Sequence, residues 1–547
     1  MRRIPTILAA ALLAAACTAD ADTPDEPEAA PVCDPGLVSA LSAWAEAGYS
    51  GSIALTDEAG LACATGFGAA DAESGEPNTA ATVFAIGSVS KAFTAAAIFD
   101  LADAGTLALD DRAGDLLPGL EGPAAAVTVE QLLLHTGGLA GSHGADHEPL
   151  DRDEAVEALS GLESAFDPGT DYLYSNSGYT LLALIVDEQS GKAYRGYLAE
   201  EILPLSGGFW DGEPAAPGPR AIGYEGGERA ASTGDFEGPH WALAGNGDLA
   251  MTAGDLASWT SALFEGEIIS PEATALLTET GFDHGDGSTE LPGWVALDAA
   301  GFGTPVYAST GGGGDTGHQA VTAWLPESGR SITVTSNTDE ITAEELLEAV
   351  GPALASGEPL PVPETQEADP AELRAAEGAY TLETGGTLAV AAEASALAVS
   401  AEGADAVEAL FEPTGDVVDH EAAVESLLNG ETEAGREELE VLEDDLGPIE
   451  EIELAGTVFE ESELRTYVRL TTGGETRLAW YALDEHGQIA GVLLGAEPPV
   501  FKLVPADDGE FRQQDLSGAG RGVRVRFEDG LMTVTGPGGT VEARRAD

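Results

Sequence analysis

Positive charge is what this chain has least of. Its 547 residues carry 97 Asp and Glu against 22 Lys and Arg, a formal net charge of −75. Only three of the basic residues are lysines, at positions 91, 192 and 502; arginine supplies the other nineteen. This balance excludes binding to nucleic acid, or to an anionic membrane surface, through bulk charge. It reads instead as an adaptation to high salt, where self-repulsion is screened. No membrane-length apolar run opens the chain either: IPTILAAALLAAA has thirteen residues, too few to span a bilayer as a permanent helix. Histidine gives no metal pattern. His240, His284 and His420 stand isolated, no pair has convincing metal-ligand spacing, and neither a metal nor any other cofactor is expected. What remains is ample for folding, because 43% hydrophobic content over this length allows two or more domains with real cores.

The first residues read as targeting rather than fold. MRR is a positive n-region, the apolar run is a short h-region, and Cys17 follows a row of small residues. Residues 1–17 resemble a bacterial lipoprotein signal, in which that cysteine is acylated; an ordinary cleaved secretory signal is the alternative. Either implies export to the cell envelope, with contact to a membrane only through the N-terminal lipid. Residues 18–35 read as an acidic, Pro-containing tether. Cys33 and Cys63 would then stand in an oxidising compartment, where a disulfide is permitted.

Beyond the tether, GSIALTDEAGLACATGFG (51–68) reads as a β-hairpin turning at Glu58-Ala59-Gly60. A second hairpin, HQAVTAWLPESGRSITVTSN (318–337), turns at Pro326-Glu327-Ser328-Gly329. Helical and loop patterns lie between, and TAEELLEAVGPALA closes the region. Strands at both ends of a helical middle predict one antiparallel sheet built from distant segments, flanked by helices and a helical subdomain, an α/β architecture of the α+β type. The resulting division is a domain over 36–352, a Pro-rich acidic linker over 353–370, and a β-rich domain over 371–547, barrel-like or sandwich-like, interrupted by an acidic helical patch near 421–445.

One stretch raises a chemical question. GSVSKAFTAAAIFDLADAG (87–105) suits a buried helix, yet it begins with Ser88 and carries Lys91 one turn later. Residues three apart on a helix face the same way. Lysine acts as a base only as the free amine, the form that withdrawal from water favours. Ser88 could then be a nucleophile, with the helix N-terminus and backbone N–H groups receiving an oxyanion. The plain reading is a helix cap and a snorkelling lysine. Tyr174-Ser175-Asn176 supplies a second piece, the only Tyr-x-Asn among eleven tyrosines. Its phenol could relay a proton and Asn176 could bind a substrate amide, against the plain reading of a turn tyrosine.

With their context these motifs resemble the serine β-lactamase and penicillin-binding superfamily, of the class C β-lactamase, DD-peptidase and esterase type. FAIGSVSKAFTA, LADAGTLALDDRAGDLLP, VTVEQLLLHTGGL and GNGDLAMTAGDLASW agree in order, over roughly residues 36–350. The resemblance implies a β-lactamase/transpeptidase-like fold, with Ser88, Lys91 and Tyr174 catalytic and Asn176 binding substrate. His135-Thr136-Gly137 falls between nucleophile and tyrosine, the wrong place for the family's third motif, and reads as a turn. Glu425 through Asn429 mimics an acidic motif but lies beyond the linker.

The third motif departs from the family. VYASTGGGGDTGHQAVTAWLP stands where a strand with Lys/His-Thr-Gly or His-Gly-Gly belongs. One register puts Ser309 at the basic position, followed by Thr310, Gly311 and Gly312; the other puts Gly311 there. Neither supplies a cation, although His318 is close in sequence. The glycines can still admit substrate, and a backbone N–H from 311–314 can join that of Ser88 as oxyanion donor. Recognition of a substrate carboxylate is what the departure removes. The reading is therefore a secreted serine hydrolase acting through an acyl-enzyme on esters or amides of small molecules or peptides, esterase-like. The alternatives are a DD-peptidase or β-lactamase on carboxylate-bearing substrates, or a silent homologue that binds ligands in the cleft.

Overall fold

The computed structural model describes residues 32–546 apart from 147, 204–206, 211, 213, 226, 231–239, 286, 298, 314–315, 364–369, 394–395, 411–414, 461–462, 484–486, 488, 507–508, 514–522, 529 and 537–538. Cys17 and the signal, with most of the tether, lie outside the described residues.

A helix α1 (Pro35–Glu46) leads into the hairpin β1 (Gly51–Asp57) and β2 (Gly60–Phe67). Asp34 caps α1, accepting from the Gly36 N–H at 2.8 Å. Cys33, just before that cap, is joined by a disulfide to Cys63 on β2. The chain then forms helix α2 (Ser90–Asp103), a short helix α3 (Val129–Leu133), helix α4 (Asn176–Ser190) and helix α5 (Ala253–Phe264). Six strands follow: β3 (Phe282–Asp283), β4 (Ser288–Leu291), β5 (Trp294–Leu297), β6 (Val306–Gly313), β7 (His318–Leu325) and β8 (Arg330–Ser336). Helix α6 (Ala343–Ser356) ends this part.

These strands form one antiparallel sheet in the order β3-β4-β5-β6-β7-β8-β1-β2. The join between distant segments is the β1–β8 pair, with Gly51 opposite Ser336 and Leu55 opposite Ile332. Both hairpins form about the turns read in the sequence. Their alternation is filled on both faces, because α5 covers one side of β1, β7 and β8 and α6 the other. Helix α2 is enclosed all round: every residue from Ser90 to Phe99 is buried. That burial explains its run of alanines, which pack closely and form helix well. Phe93 stacks on Trp259 of α5 at 3.6 Å between ring centroids, fixing α2 against the sheet-facing helix.

The C-terminal part is β-rich, and of the two forms expected it is the barrel. Eight strands close, with Gly378–Leu382 pairing both Thr387–Ala392 and the last strand, Gly539–Arg545. Closure leaves that sheet no free edge. A separate four-stranded sheet over 449–494 and helices Gly415–Leu428 and Glu433–Leu446 are inserted between barrel strands. The acidic helical patch read in the sequence is this helix pair.

Candidate active site

Ser88 stands at a bend between a buried strand and the enclosed helix. The strand Val83–Ala85 pairs with Leu249–Thr252; the chain then turns through Gly87, at φ 48°, into one 3-10 turn over Gly87–Val89. Helix α2 continues from Ser90, which buries Lys91 to 3% exposure on the side facing Ser88. Lys91 Nζ lies 2.8 Å from Ser88 Oγ, 2.8 Å from Asn176 Oδ1 and 3.2 Å from the Asn246 carbonyl. Three polar partners offset the penalty of burying an amine.

Tyr174 precedes the N-cap of α4. Ser175 takes the cap, its Oγ accepting from the Gly178 N–H at 3.1 Å, and Asn176 opens the helix under Lys91. The Tyr174 phenol is 48% exposed to the cleft, and its hydroxyl donates to Ser88 Oγ at 2.8 Å. Lys91 Nζ also sits 4.7 Å from the Tyr174 ring centroid. The sequence reading gave Asn176 to a substrate amide. Its carbonyl oxygen is instead committed to Lys91, leaving only the NH2 group for substrate.

Asn246 is a residue the motif reading missed, although it lies inside the quoted GNGDLAM stretch. Its side chain donates to Thr180 Oγ1 at 2.8 Å and to the Ala242 carbonyl at 2.9 Å, which turns its own carbonyl toward Lys91. The preceding Gly245 has φ +86°, and a Cβ there would meet the Tyr179 carbonyl and the Ala183 side chain at 2.6 Å, so only glycine lets this turn press on α4. A mostly buried ion pair, Arg195 to Asp248 at 3.0 Å, anchors the other side of the turn. Burial pushes the Asp248 carboxyl up, and the Arg195 charge pulls it back.

The glycine strand runs against the nucleophile. A Cβ on Gly311 would lie 2.3 Å from the Ser88 amide nitrogen and 2.3 Å from the Ile86 carbonyl. Gly311 is thus the position pressed against the nucleophile, and Ser309 is buried two residues before it. Thr310 and Gly312 fall on the exposed side of β6; Gly314 lies outside the described residues. His318 does not replace the missing cation. It is buried opposite Gly313, with ring centroids 5.1 Å from Trp210 and 6.2 Å from Phe84, and desolvation pushes its pKa down to about 4.

Two further residues gather behind Tyr174. His135, expected only to shape a turn, does have φ 58°, and it also uses its side chain. Its Nδ1 accepts from the Ser175 N–H at 3.0 Å, and its ring lies 4.5 Å from that of Tyr174. Burial, and then the nearby Lys91 charge, hold its pKa well below the usual value. Glu290 on β4 is 6% exposed, with its pKa raised to about 8 by desolvation. Nothing in the local sequence marks it, since cross-sheet pairing and a loop 118 residues away bring its partners. Glu425 lies on helix Gly415–Leu428 in the C-terminal part.

The family model named Beta-lactamase matches residues 42–355, more than half of the chain. The chain belongs to the β-lactamase family. Among curated relatives of this β-lactamase-family chain, penicillin-binding protein 4* of Bacillus subtilis is 30% identical over 167 residues, 29% of this chain and 37% of the relative. A D-aminopeptidase of Cereibacter sphaeroides is 26% identical over 228 residues, 39% of this chain and 43% of the relative. The teichoic acid D-alanine hydrolase of Staphylococcus aureus is 28% identical over 148 residues, 27% of this chain and 36% of the relative. The chain thus spans less than half the length of each. The octameric penicillin-binding protein homologue from Pyrococcus abyssi is similar in structure, with a TM-score of 0.53 and 20% identity, over 85% of this chain and 99% of that one. That likeness shows the fold.

Proposed function

We propose that this protein is an exported serine hydrolase that cleaves ester or amide bonds through an acyl-enzyme. The carrying observation is that Lys91 Nζ and the Tyr174 hydroxyl each lie 2.8 Å from Ser88 Oγ. Ser88 attacks the carbonyl as its proton passes to Lys91, and Tyr174 delivers a proton to the leaving group. Water then releases the acyl group by the reverse transfers. The Ser88 N–H and an N–H of the glycine run hold the oxyanion. Neutral Ser309 at the basic position supports substrates without a carboxylate, esters foremost. The names of two relatives, a D-aminopeptidase and a teichoic acid D-alanine hydrolase, support D-aminoacyl amides or esters as the class to try first. The Cys33–Cys63 disulfide supports an oxidising compartment, and no helix among the described residues is long and apolar enough to cross a membrane, so attachment would rest on a lipid at Cys17. The division at 36–352, 353–370 and 371–547 is proposed with it.

The test is covalent labelling. A fluorophosphonate should add once to the folded protein by intact mass and not at all to Ser88→Ala. A folded wild type that stays unmodified would favour the silent-homologue reading.

A further inference from the structure

The tyrosine that faces Ser88 is held from behind by one residue. The His135 carbonyl accepts from the Leu173 N–H at 2.9 Å, and its Nδ1 accepts from the Ser175 N–H at 3.0 Å. These two bonds bracket Tyr174, and the His135 ring packs on the phenol between them. The second bond forms only when Nδ1 carries no proton, because two N–H groups cannot share a hydrogen bond. A neutral ring must then keep its proton on Nε2.

Nε2 faces Glu290 Oε1 at 3.9 Å, beyond hydrogen-bond distance, so the Nε2–H and the carboxyl oxygen meet as dipoles. The other carboxyl oxygen, Oε2, accepts from the Tyr172 hydroxyl at 3.3 Å and lies 3.5 Å from His284 Nε2. Other titratable groups around this carboxyl are Lys91 on α2 and Tyr179 on α4. Such a buried carboxyl is costly to keep, yet neither the nucleophile nor the proton path uses it directly.

We propose that Glu290 is a positioning residue for Tyr174, acting through His135: its Oε1 keeps the ring proton on Nε2, so that Nδ1 grips the Ser175 N–H and the Tyr174 hydroxyl stays on Ser88. The proposal rests on the hydrolase reading above. Its substance is the chain Glu290, His135, Ser175 amide, Tyr174.

The test is a double-mutant cycle on a neutral short-chain ester. Glu290→Leu should lower kcat roughly tenfold or more with KM within about twofold, and Glu290→Gln, whose amide oxygen still faces Nε2, should recover most of that loss. In the Tyr174→Phe background both substitutions should have no further effect. Equal losses in both backgrounds, or an unaffected kcat in Glu290→Leu, would overturn it. If the leucine variant does not fold, the smaller loss in Glu290→Gln must still vanish in Tyr174→Phe; a loss that persists there overturns the proposal. Imidazole 15N spectra test the same chain without turnover. His135 should be the neutral Nε2–H tautomer in the wild type and should lose that preference in Glu290→Leu. An Nδ1–H form in the wild type sinks the proposal whatever the activity, whereas an inactive wild type with the Nε2–H form sinks only the hydrolase reading.

Discussion

Lys91 Nζ lies 2.8 Å from Ser88 Oγ, while its other two partners, Asn176 Oδ1 and the Asn246 carbonyl, can only accept. A free amine has two N–H groups and one lone pair. Once the ammonium has lost a proton, the two N–H groups that remain can go to those acceptors, and the lone pair is then free for the serine proton. Tyr174 approaches the same oxygen as a donor. In that form of Lys91, Ser88 stands between a proton acceptor and a proton donor, which is what acyl transfer requires at its two stages.

Lys91→Ala and Tyr174→Phe should each lower kcat/KM for a neutral ester by roughly 10²–10⁴-fold, the range of a general acid or base. Tyr174 is half exposed, so its phenylalanine variant should melt nearly with the wild type. Steady-state kinetics and a thermal melt check both statements. Full activity in either variant removes that residue from the proton path.

Gly245→Ala tests the turn that presents the Asn246 carbonyl. A left-handed alanine costs about 1–2 kcal/mol, and overpacking against the Tyr179 carbonyl about 1–3 more. Destabilisation of about 2–5 kcal/mol is expected in urea unfolding, with a fall in kcat as the carbonyl moves from Lys91. A variant as stable as the wild type would show that the turn relaxes freely.

His318 sets a pH dependence of stability. Burial keeps it uncharged down to about pH 4 in the folded protein, whereas the unfolded chain takes up its proton near the ordinary value of 6.5. Between these values the unfolded state binds more protons. The contribution to stability is therefore full above pH 6.5 and is lost as pH falls toward 4. At about 1.4 kcal/mol per pH unit the loss is on the order of 3 kcal/mol. His318→Phe, which suits a site between Phe84 and Trp210, should be less sensitive to acid by this amount. Denaturant midpoints at pH 7 and 4.5 for both proteins decide it, since buried His135 remains in each and cancels. Equal acid sensitivity would mean that His318 is solvated when folded.

The hairpins were legible because alternation with a turn is a local signature. Ser88 and Lys91 offer only a three-residue spacing, and it is the resemblance to the serine β-lactamase and penicillin-binding superfamily that joins Tyr174 and Asn176 to them. The register of the glycine strand was not legible. Sequence left Ser309 and Gly311 as equal choices, and the closeness of Gly311 to the Ser88 amide arises from packing between distant segments that neither register encodes. Asn246 was hidden because it acts through its backbone carbonyl, which any residue could supply. Glu290 was hidden for a different reason: its partners come from the loop before α4, the turn after α3 and the β3–β4 connection. No periodicity of β4 encodes that meeting. The barrel, too, was legible only as short strands with Gly turns, because closure depends on pairing the first strand with the last.

The absent cation leads to the last prediction. Binding a substrate carboxylate usually takes a charged donor, worth about 1.5–3 kcal/mol as a charge-assisted hydrogen bond. Ser309 offers no charge, and His318 is buried and uncharged at neutral pH, so that contribution should be missing here. The net charge of −75 adds long-range repulsion of anions, which salt screens. A neutral short-chain ester should accordingly be turned over with kcat/KM roughly ten- to hundredfold above its carboxylate-bearing analogue. The gap should shrink at high salt by the long-range part alone. Ser309→Lys should narrow it further by restoring a cation beside Gly311, provided the variant still labels at Ser88. Preference of the wild type for the anionic analogue would show that another residue supplies the charge. Exposed Arg220, whose guanidinium lies 5.0 Å from the centroid of the Trp210 ring that also contacts His318, is then the first to replace. Loss of the anionic preference in Arg220→Gln would move the peptidase or lactamase reading ahead of the esterase one.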